Sequence, residues 1–368
     1  MKLWGMMAIL FAVVFFIIVF RKIRPWTKKI LYLAVTLAGT IFAVYLFLFP
    51  FDPPVPTTGE HEVVEEEAFF TYVPRDQKMA TDGEEREVPV LVYRPAKPAK
   101  GGYGLVVFSH GSFGVAQSNE SLFRELASHG YVVLSLSHPH HSFTAKLSNG
   151  KNVRTDMDFF KSVMRSPGAE DPEGTLKAFR EWMGVRVDDL NTVLDGVLQG
   201  TSDLSAWIDT NRVILSGHSL GASAALAVGR QRSDEILGVI ALEGPYVGDI
   251  TGVEEGKYLF TATEYPIPVL HFYSDALYGK LDEVPIYARN TAYLDGKNGK
   301  FRNCHITGAG HLGLTDLSLT SPVLTRFLDK KIGGQADTDP AYEILREINK
   351  ESLDFLKTLE TGRKMPQA

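Results

Sequence analysis

The stretch VILSGHSLGASAALAVG, Val213 to Gly229, decides the fold. An apolar, strand-like run leads into the sequence GHSLG (Gly217–Gly221), and an alanine-rich helical run follows. This order of strand, turn and helix is the context that makes a G-x-S-x-G match specific. Because the two glycines leave room for a sharp, strained turn, the stretch predicts that Ser219 is a nucleophile exposed at the start of a helix.

A serine nucleophile needs a base, which is itself oriented by an acid, and with this turn they follow in the order Ser, Asp/Glu, His. Three histidines follow Ser219 in the chain. His271 and His305 lie inside strand-like runs, where we expect core residues. His311 lies in the glycine-rich loop GAGHL after the last strand-like run, and it is therefore the predicted base.

Two carboxylates are candidates for the acid. Glu243 ends one strand-like run and Asp275 ends the next, so both are expected at the same sheet edge as Ser219. Spacing alone favours the later strand, after which most enzymes of this architecture have their acid, and thus Asp275. Asp275 nevertheless lies about two positions before the place that this acid usually takes, which Leu277 occupies here. The residues alone therefore leave both carboxylates open.

The segment FSHGSFG, Phe108 to Gly114, follows a strand-like run and has the form of an oxyanion loop. The predicted oxyanion donors are the backbone N–H groups of Ser112 and Leu220, and fixed donors of this kind stabilise the negative charge of a tetrahedral intermediate. His110 is expected to brace this loop rather than to act as a base.

The cluster HPHH, residues 138–141, has the composition of a metal site but not its spacing. Neighbouring histidines in one loop cannot all face one ion, and no carboxylate at ligand spacing accompanies them. The single cysteine, Cys304, also rules out an internal disulfide and multi-cysteine metal sites. We therefore predict no metal and no cofactor, and we place residues 138–141 at the rim of the site.

From residue 69 onward, seven strand-like runs between residues 88 and 306 alternate with helical runs. This pattern predicts one α/β domain, residues 69–368, with helices on both faces of a mostly parallel sheet. A long insertion at about 142–185 is expected either to cover the site as a lid or to form a small satellite core. Its aromatic residues are Phe143, Phe159, Phe160, Phe179 and Trp182.

Residues 1–51 contain two uncharged runs, at about 3–20 and 30–51, each long enough to cross a hydrocarbon core of about 30 Å. The nine-residue loop between them, RKIRPWTKK, carries five positive charges, which predicts a cytoplasmic loop and an extracytoplasmic body. A signal peptide is the alternative, but the run lacks a small-x-small cleavage site. Residues 52–68, rich in proline and glutamate, are predicted to be a spacer.

The net charge of −6 averages two unlike parts of the chain. Residues 1–51 carry six basic side chains and no acidic one, so the remainder carries 32 basic and 44 acidic side chains. This acidic body argues against nucleic acid as a partner. The expected partners are a membrane and a small-molecule or lipid substrate.

Taken together, VVFSHGSFG, ELASHGYVVLSLSHPHHS, RVILSGHSLGASAAL, IALEGPY and GAGHLGLTD resemble the α/β-hydrolase superfamily, and more closely the plasma and type II platelet-activating-factor acetylhydrolase group. In that group the acid follows the strand directly after the nucleophile helix. The resemblance therefore implies a triad of Ser219, His311 and Glu243, with glutamate where the group has aspartate. The pair Ser274-Asp275 resembles a Ser-acid pair of that group whose acid is not part of the triad. The resemblance therefore favours Glu243, and Asp275 is the alternative acid.

The same resemblance implies the hydrolysis of carboxylic esters through an acyl-enzyme, with lipid or other acyl esters as substrates. Two other functions fit the same residues: an acyltransferase or peptidase that uses the same triad, and a non-catalytic binding protein on a hydrolase scaffold. The second predicts a broken triad, whereas the serine, the histidine, an acid and both glycines of the turn are all present.

Overall fold

The computed structural model describes residues 2–166, 170–294, 299–332 and 341–362. The strands in these ranges are β1 (Val63–Tyr72), β2 (Arg86–Pro95), β3 (Tyr103–Ser109), β4 (Tyr131–Leu136), β5 (Thr144–Lys146), β6 (Asn152–Arg154), β7 (Ile208–His218), β8 (Gly238–Leu242), β9 (Ile250–Glu254), β10 (Lys257–Phe260), β11 (Val269–Ser274) and β12 (Phe301–Ile306). The helices are α1 (Lys2–Phe20), α2 (Trp26–Leu48), α3 (Glu120–Ser128), α4 (Met157–Met164), α5 (Pro172–Leu198), α6 (Leu220–Gln231), α7 (Ala288–Tyr293), α8 (Leu317–Thr320), α9 (Pro322–Ile332) and α10 (Ala341–Thr361).

Eight strands form one sheet in the order β1-β2-β4-β3-β7-β8-β11-β12. Strand β2 runs antiparallel to both of its neighbours, β1 and β4, while every other neighbouring pair is parallel. The predicted α/β architecture with a mostly parallel sheet is therefore confirmed. Strands β5 and β6, and strands β9 and β10, form two separate hairpins.

Helices cover both faces of the sheet, and each face has its own apolar core. One core joins the sheet to α5 and α6, and the other joins it to α3 and α10. Every residue of β3, β4 and β8 is buried, as expected for parallel strands that are covered on both sides. The carboxyl ends of the parallel strands meet at one edge of the sheet, where the candidate site lies.

The segment 52–68, predicted to be a spacer, is instead bound to the body along most of its length. Residues Val63–Tyr72 form the edge strand β1, which pairs with β2 over its whole length. Upstream of it, the Thr58 N–H donates to Glu125 Oε2 at 2.8 Å, and Val55 is buried. The glutamates misled the prediction because alternate side chains of an edge strand face solvent, so a charged run is compatible with a strand.

Two further boundaries differ from the predictions. Helix α2 begins and ends a few residues before the predicted span of 30–51, whereas α1 closely matches 3–20. Both helices are long and apolar enough to cross a membrane. Helix α5 begins at Pro172, so the predicted insertion consists of the β5–β6 hairpin, α4 and the first half of a scaffold helix.

Candidate active site

Ser219 lies on the turn between β7 and α6 with φ 54° and ψ −123°, a backbone conformation that is strained for a residue with a side chain. Both glycines of the turn are needed for close packing. A Cβ atom on Gly221 would lie 1.9 Å from Ser109 O, and one on Gly217 would lie 2.5 Å from backbone atoms of Gly221. The turn therefore presents a half-buried Ser219 at the carboxyl edge of the sheet, where the sequence predicts a nucleophile.

His311 follows β12, and its Nδ1–H donates to Glu243 Oε2 at 3.1 Å. Glu243 follows β8, is buried, and also accepts a hydrogen bond from the Ser274 hydroxyl at 2.8 Å through Oε1. Burial by itself would lower the pKa of His311, but the hydrogen bond and charge of Glu243 raise it above its usual value. The structure thus brings one buried carboxylate to the predicted base.

In the described residues, no hydrogen bond or ion pair joins the Asp275 carboxylate to the His311 ring. Its Oδ1 accepts from His305 Nε2 at 2.6 Å, and its Oδ2 accepts from the Gly308 N–H at 2.8 Å. Its own N–H donates to Ala309 O at 2.9 Å. Asp275 therefore holds the loop on which the histidine lies.

Two histidines that the sequence assigns to the core differ in their surroundings. His271 is buried and stacks on Tyr273, and burial lowers its pKa to about 3, as expected for a neutral core residue. His305 is half-exposed instead, because it stacks on Tyr278 at the sheet edge and pairs with Asp275.

Two more groups hold the His311 loop. His218, beside Ser219 in the turn, donates from Nε2 to His311 O at 3.0 Å, and the two imidazole rings lie 4.6 Å apart. Asp329, a buried residue of α9, accepts from the Leu312 N–H at 2.7 Å, and no sequence pattern pointed to it. No hydrogen bond joins the Ser219 hydroxyl to His311 in the described residues, and in unliganded hydrolases this bond often forms only with substrate.

The segment after β3 runs directly over the nucleophile. A Cβ atom on Gly111 would lie 3.2 Å from Ser219 Cβ and 2.8 Å from His218 Nδ1, so only glycine fits there. The next residue is Ser112. Across the described part of the chain, neither the Ser112 N–H nor the Leu220 N–H donates a hydrogen bond, which leaves both predicted oxyanion donors available.

His110 braces this loop, as predicted. Its Nδ1–H donates to Gly111 O at 2.7 Å, and its Nε2 accepts from the Ser142 hydroxyl at 2.7 Å. Complete burial lowers the pKa of His110 well below its usual value, so the ring is neutral and cannot serve as an accessible base.

A buried network that includes two arginines lies below the loop, and sequence reasoning missed it. Arg86 on β2 binds Asp189 on α5 through Nε and Nη2, at 2.7 and 2.9 Å. Arg186, also on α5, donates to His110 O at 2.5 Å and to Gly111 O at 3.2 Å, and all three charged side chains are fully buried. The only signal for this network was the sequence RVDD within a helical run, which normally indicates a solvated face.

The histidine cluster at 138–141 belongs to the same network. His138 donates from Nδ1 to Asp189 Oδ2 at 2.8 Å and accepts from the Ser109 hydroxyl at 2.9 Å through Nε2. His141 stacks on Phe159 with the ring centroids 3.8 Å apart. In the described ranges, no three His, Cys, Asp or Glu side chains are grouped as a metal site.

The insertion borders the oxyanion loop through aromatic contacts. Phe113 packs against Phe159 and Phe160, at 5.4 and 5.3 Å between ring centroids. Phe159 and Trp182 are buried, as in a satellite core, whereas Phe143 is 70% exposed. A separate surface cavity of about 470 Å³ between α5 and β9 contains none of the triad candidates.

Comparison with known proteins agrees with this architecture. The model of the alpha/beta hydrolase family matches residues 106–353. Two solved structures are similar. The first is a ferulic acid esterase from Streptomyces cinnamoneus, with a TM-score of 0.60 and 17% identity, and the match covers 85% of this chain and 94% of that one. The second is a dienelactone hydrolase-like promiscuous phosphotriesterase from metagenomic libraries, with a TM-score of 0.51 and 13% identity, and the match covers 81% of this chain and 98% of that one. No curated protein sequence matches the chain significantly. Since the family match spans more than half of its length, this chain belongs to the alpha/beta hydrolase family.

Proposed function

We propose that the protein is a serine carboxylic-ester hydrolase that works through an acyl-enzyme. The observation that carries the proposal is the hydrogen bond from His311 Nδ1 to the buried Glu243, next to the strained turn that presents Ser219. An imidazole oriented by a carboxylate is what activates a serine hydroxyl in this class of enzyme.

In the proposed reaction, His311 Nε2 takes the proton of the Ser219 hydroxyl while the oxygen attacks the acyl carbonyl carbon. The carbonyl electron pair moves to the oxygen, which the N–H groups of Ser112 and Leu220 stabilise. When the tetrahedral intermediate collapses, His311 gives its proton to the leaving alcohol, and the acyl-enzyme remains. Water then repeats both steps and releases the acid and free Ser219.

Glu243 is the preferred acid in this mechanism. Its carboxylate accepts the Nδ1–H of His311, which fixes the tautomer that leaves Nε2 free to accept a proton. Glu243 has a positive φ of 52°, and its side chain, one methylene longer than that of aspartate, reaches the ring. Asp275, the alternative acid, is proposed to hold the histidine loop through His305 and Gly308.

We further propose that α1 and α2 anchor the protein in a membrane, with the body outside the cytoplasm, and that its substrates are lipid or other acyl esters, as in platelet-activating-factor acetylhydrolases. The attachment of the hairpin supports this. The Ser321 hydroxyl, just before α9, donates to Leu48 O at 2.6 Å, which puts the end of α2 at the same sheet edge as His311. Residues 58 and 59 bind the C-terminal end of α3, and β1 then begins near the amino ends of the parallel strands. The sheet edge that carries the candidate site would thus be the one nearer to an acyl ester in the bilayer.

Labelling by a fluorophosphonate probe tests the enzyme class, with the Ser219→Ala variant as the control. We expect the full-length protein in detergent to be labelled at Ser219 and to hydrolyse p-nitrophenyl acyl esters. The rates of hydrolysis of p-nitrophenyl esters with short and long acyl chains then show which chain length is preferred. A folded protein that neither reacts with the probe nor hydrolyses any ester of the panel would refute the proposal and favour a binding protein.

A further inference from the structure

The peptide between Gly111 and Ser112 has a positively charged group behind it. The Arg186 guanidinium is fully buried and donates to Gly111 O at 3.2 Å and to His110 O at 2.5 Å. His110 Nδ1–H also donates to Gly111 O, at 2.7 Å. The carbonyl of Gly111 thus accepts hydrogen bonds from three donors, two of which are buried side chains and the third of which is the Gly114 N–H at 3.2 Å.

This carbonyl shares its peptide group with the Ser112 N–H. In a trans peptide, the C=O and N–H bonds lie in one plane and point in opposite directions. Holding the Gly111 oxygen therefore fixes the direction of the Ser112 N–H, and a donor on the oxygen also polarises the N–H bond, because hydrogen bonds in a chain strengthen each other. Arg186 acts on this donor without touching a substrate.

The network around Arg186 carries an excess of positive charge. Among the described residues, Asp189 is the buried carboxylate of this network, and Arg86 binds both of its oxygens. Burial alone would raise the pKa of Asp189, but Arg86 holds it well below its usual value, so the carboxylate is charged. Burial lowers the pKa of His138 to about 3, which leaves that ring neutral. Two arginines thus share the negative charge of Asp189.

We propose that Arg186 is a positioning residue for the oxyanion hole: its guanidinium aims the Ser112 N–H at the reacting oxygen and places a buried cation, only partly compensated by Asp189, behind it. The inference rests on the proposed function, because it concerns the same acyl transfer. In a water-excluded interior, a fixed cation stabilises developing negative charge more strongly than it does in water. Its effect belongs to the transition state, where the carbonyl oxygen becomes an anion.

The Arg186→Met variant removes both the fork of donors and the charge. Because one oxyanion donor is misdirected, we expect kcat to fall about 10²- to 10³-fold, the range known for the loss of such a donor, with little change in KM. The Arg186→Lys variant retains the charge but cannot bind two carbonyl oxygens as a fork. We expect it to lose roughly tenfold in kcat, the equivalent of one hydrogen bond.

The test uses the full chain in detergent and divides each rate by the concentration of sites that a fluorophosphonate labels. A trifluoromethyl ketone, which forms a tetrahedral adduct with the serine, serves as the probe of the oxyanion hole. Arg302→Met is the matched control, since Arg302, like Arg186, is a buried arginine. It lies on β12, pairs with Glu351, and belongs to neither the triad nor the oxyanion loop. Its loss is expected to lower the melting temperature and to leave kcat per labelled site unchanged.

If the inference holds, the affinity of the ketone falls in parallel with kcat across the two Arg186 variants, while KM stays nearly constant. A role limited to folding would reduce the number of labelled sites and leave kcat per site and ketone affinity at wild-type values, which would overturn the inference. If Arg186→Met does not fold, the Lys variant decides between these results. A wild-type chain that neither reacts with the probe nor turns over any ester would overturn the proposed function, and this inference with it.

Discussion

Replacing Glu243 by Gln removes a negative charge 3.1 Å from the His311 ring while it keeps the size of the side chain. The neutral amide can still accept the Nδ1–H, but it no longer stabilises the imidazolium that forms when His311 takes the serine proton. In a serine enzyme of known triad, the equivalent change of acid to amide lowers kcat by about 10⁴, or roughly 5 kcal/mol of transition-state stabilisation. We expect a loss of that order here.

Asp275→Asn is the matched variant, because it removes the other candidate carboxylate. Asp275 and His305 are each about one-third exposed, so their ion pair is worth little, about 0–1 kcal/mol. The amide oxygen of the substituted side chain would still accept the Gly308 N–H. We therefore expect less than a tenfold loss in kcat from this change.

The assay is the hydrolysis of a short p-nitrophenyl ester by each full-length variant, with each rate divided by the concentration of folded protein and with the melting temperature measured to show that each variant is folded at the assay temperature. The pH profile gives a second readout. Since the hydrogen bond and charge of Glu243 raise the pKa of His311, the acid limb of kcat/KM should move to lower pH in Glu243→Gln and stay in place in Asp275→Asn. If Asp275→Asn abolishes turnover and Glu243→Gln does not, the assignment of the acid is wrong.

Three further results are expected. In the wild type, His311 must be neutral to act as a base, so kcat/KM should fall as the pH drops through a value above about 6.5, the usual pKa of histidine, and a midpoint below it would contradict the role of the buried carboxylate. Gly221→Ala should abolish probe labelling, because its Cβ atom would lie 1.9 Å from a carbonyl oxygen of β3, whereas Gly184→Ala on α5, with open space around it, should stabilise the helix by about 1 kcal/mol in thermal unfolding. Glu125→Ala removes the acceptor of the Thr58 N–H and should cost about 1–3 kcal/mol and expose residues 52–62 to limited proteolysis; an unchanged digestion pattern would mean that this segment is held by other contacts.

The sequence predicted those parts of the site that a local pattern encodes. The order of strand, GHSLG and helix predicted the sharp turn at Ser219, because the close packing of this turn excludes side chains at two positions of the chain itself. The glycine-rich loop GAGHL pointed to His311, whose ring hydrogen-bonds to Glu243. The prediction failed at β1, where a run of glutamates resembled a solvated spacer although alternate side chains face the body.

The spacing of the residues left the acid open, since Glu243 and Asp275 both end strands that reach the same edge, and only the family resemblance favoured Glu243. The choice depends on which carboxylate faces the ring across the sheet, and that is set by the register of β8 and β11 and by the backbone of each turn. The hydrogen bonds of Asp275 to His305 and Gly308 could not be predicted from the sequence either.

What the sequence by itself determined is therefore the fold class, the sharp turn at Ser219 and the two apolar runs at the start of the chain, since each follows from short-range periodicity or steric limits. Only the tertiary structure decided the partner of His311, the buried arginine below the oxyanion loop and the edge at which α2 joins the body. The physical reason is that a buried charge is stable only where distant residues supply its hydrogen bonds. Arg186 on a helix and the carbonyl groups of residues 110 and 111 after a strand meet only when the helix packs on the sheet.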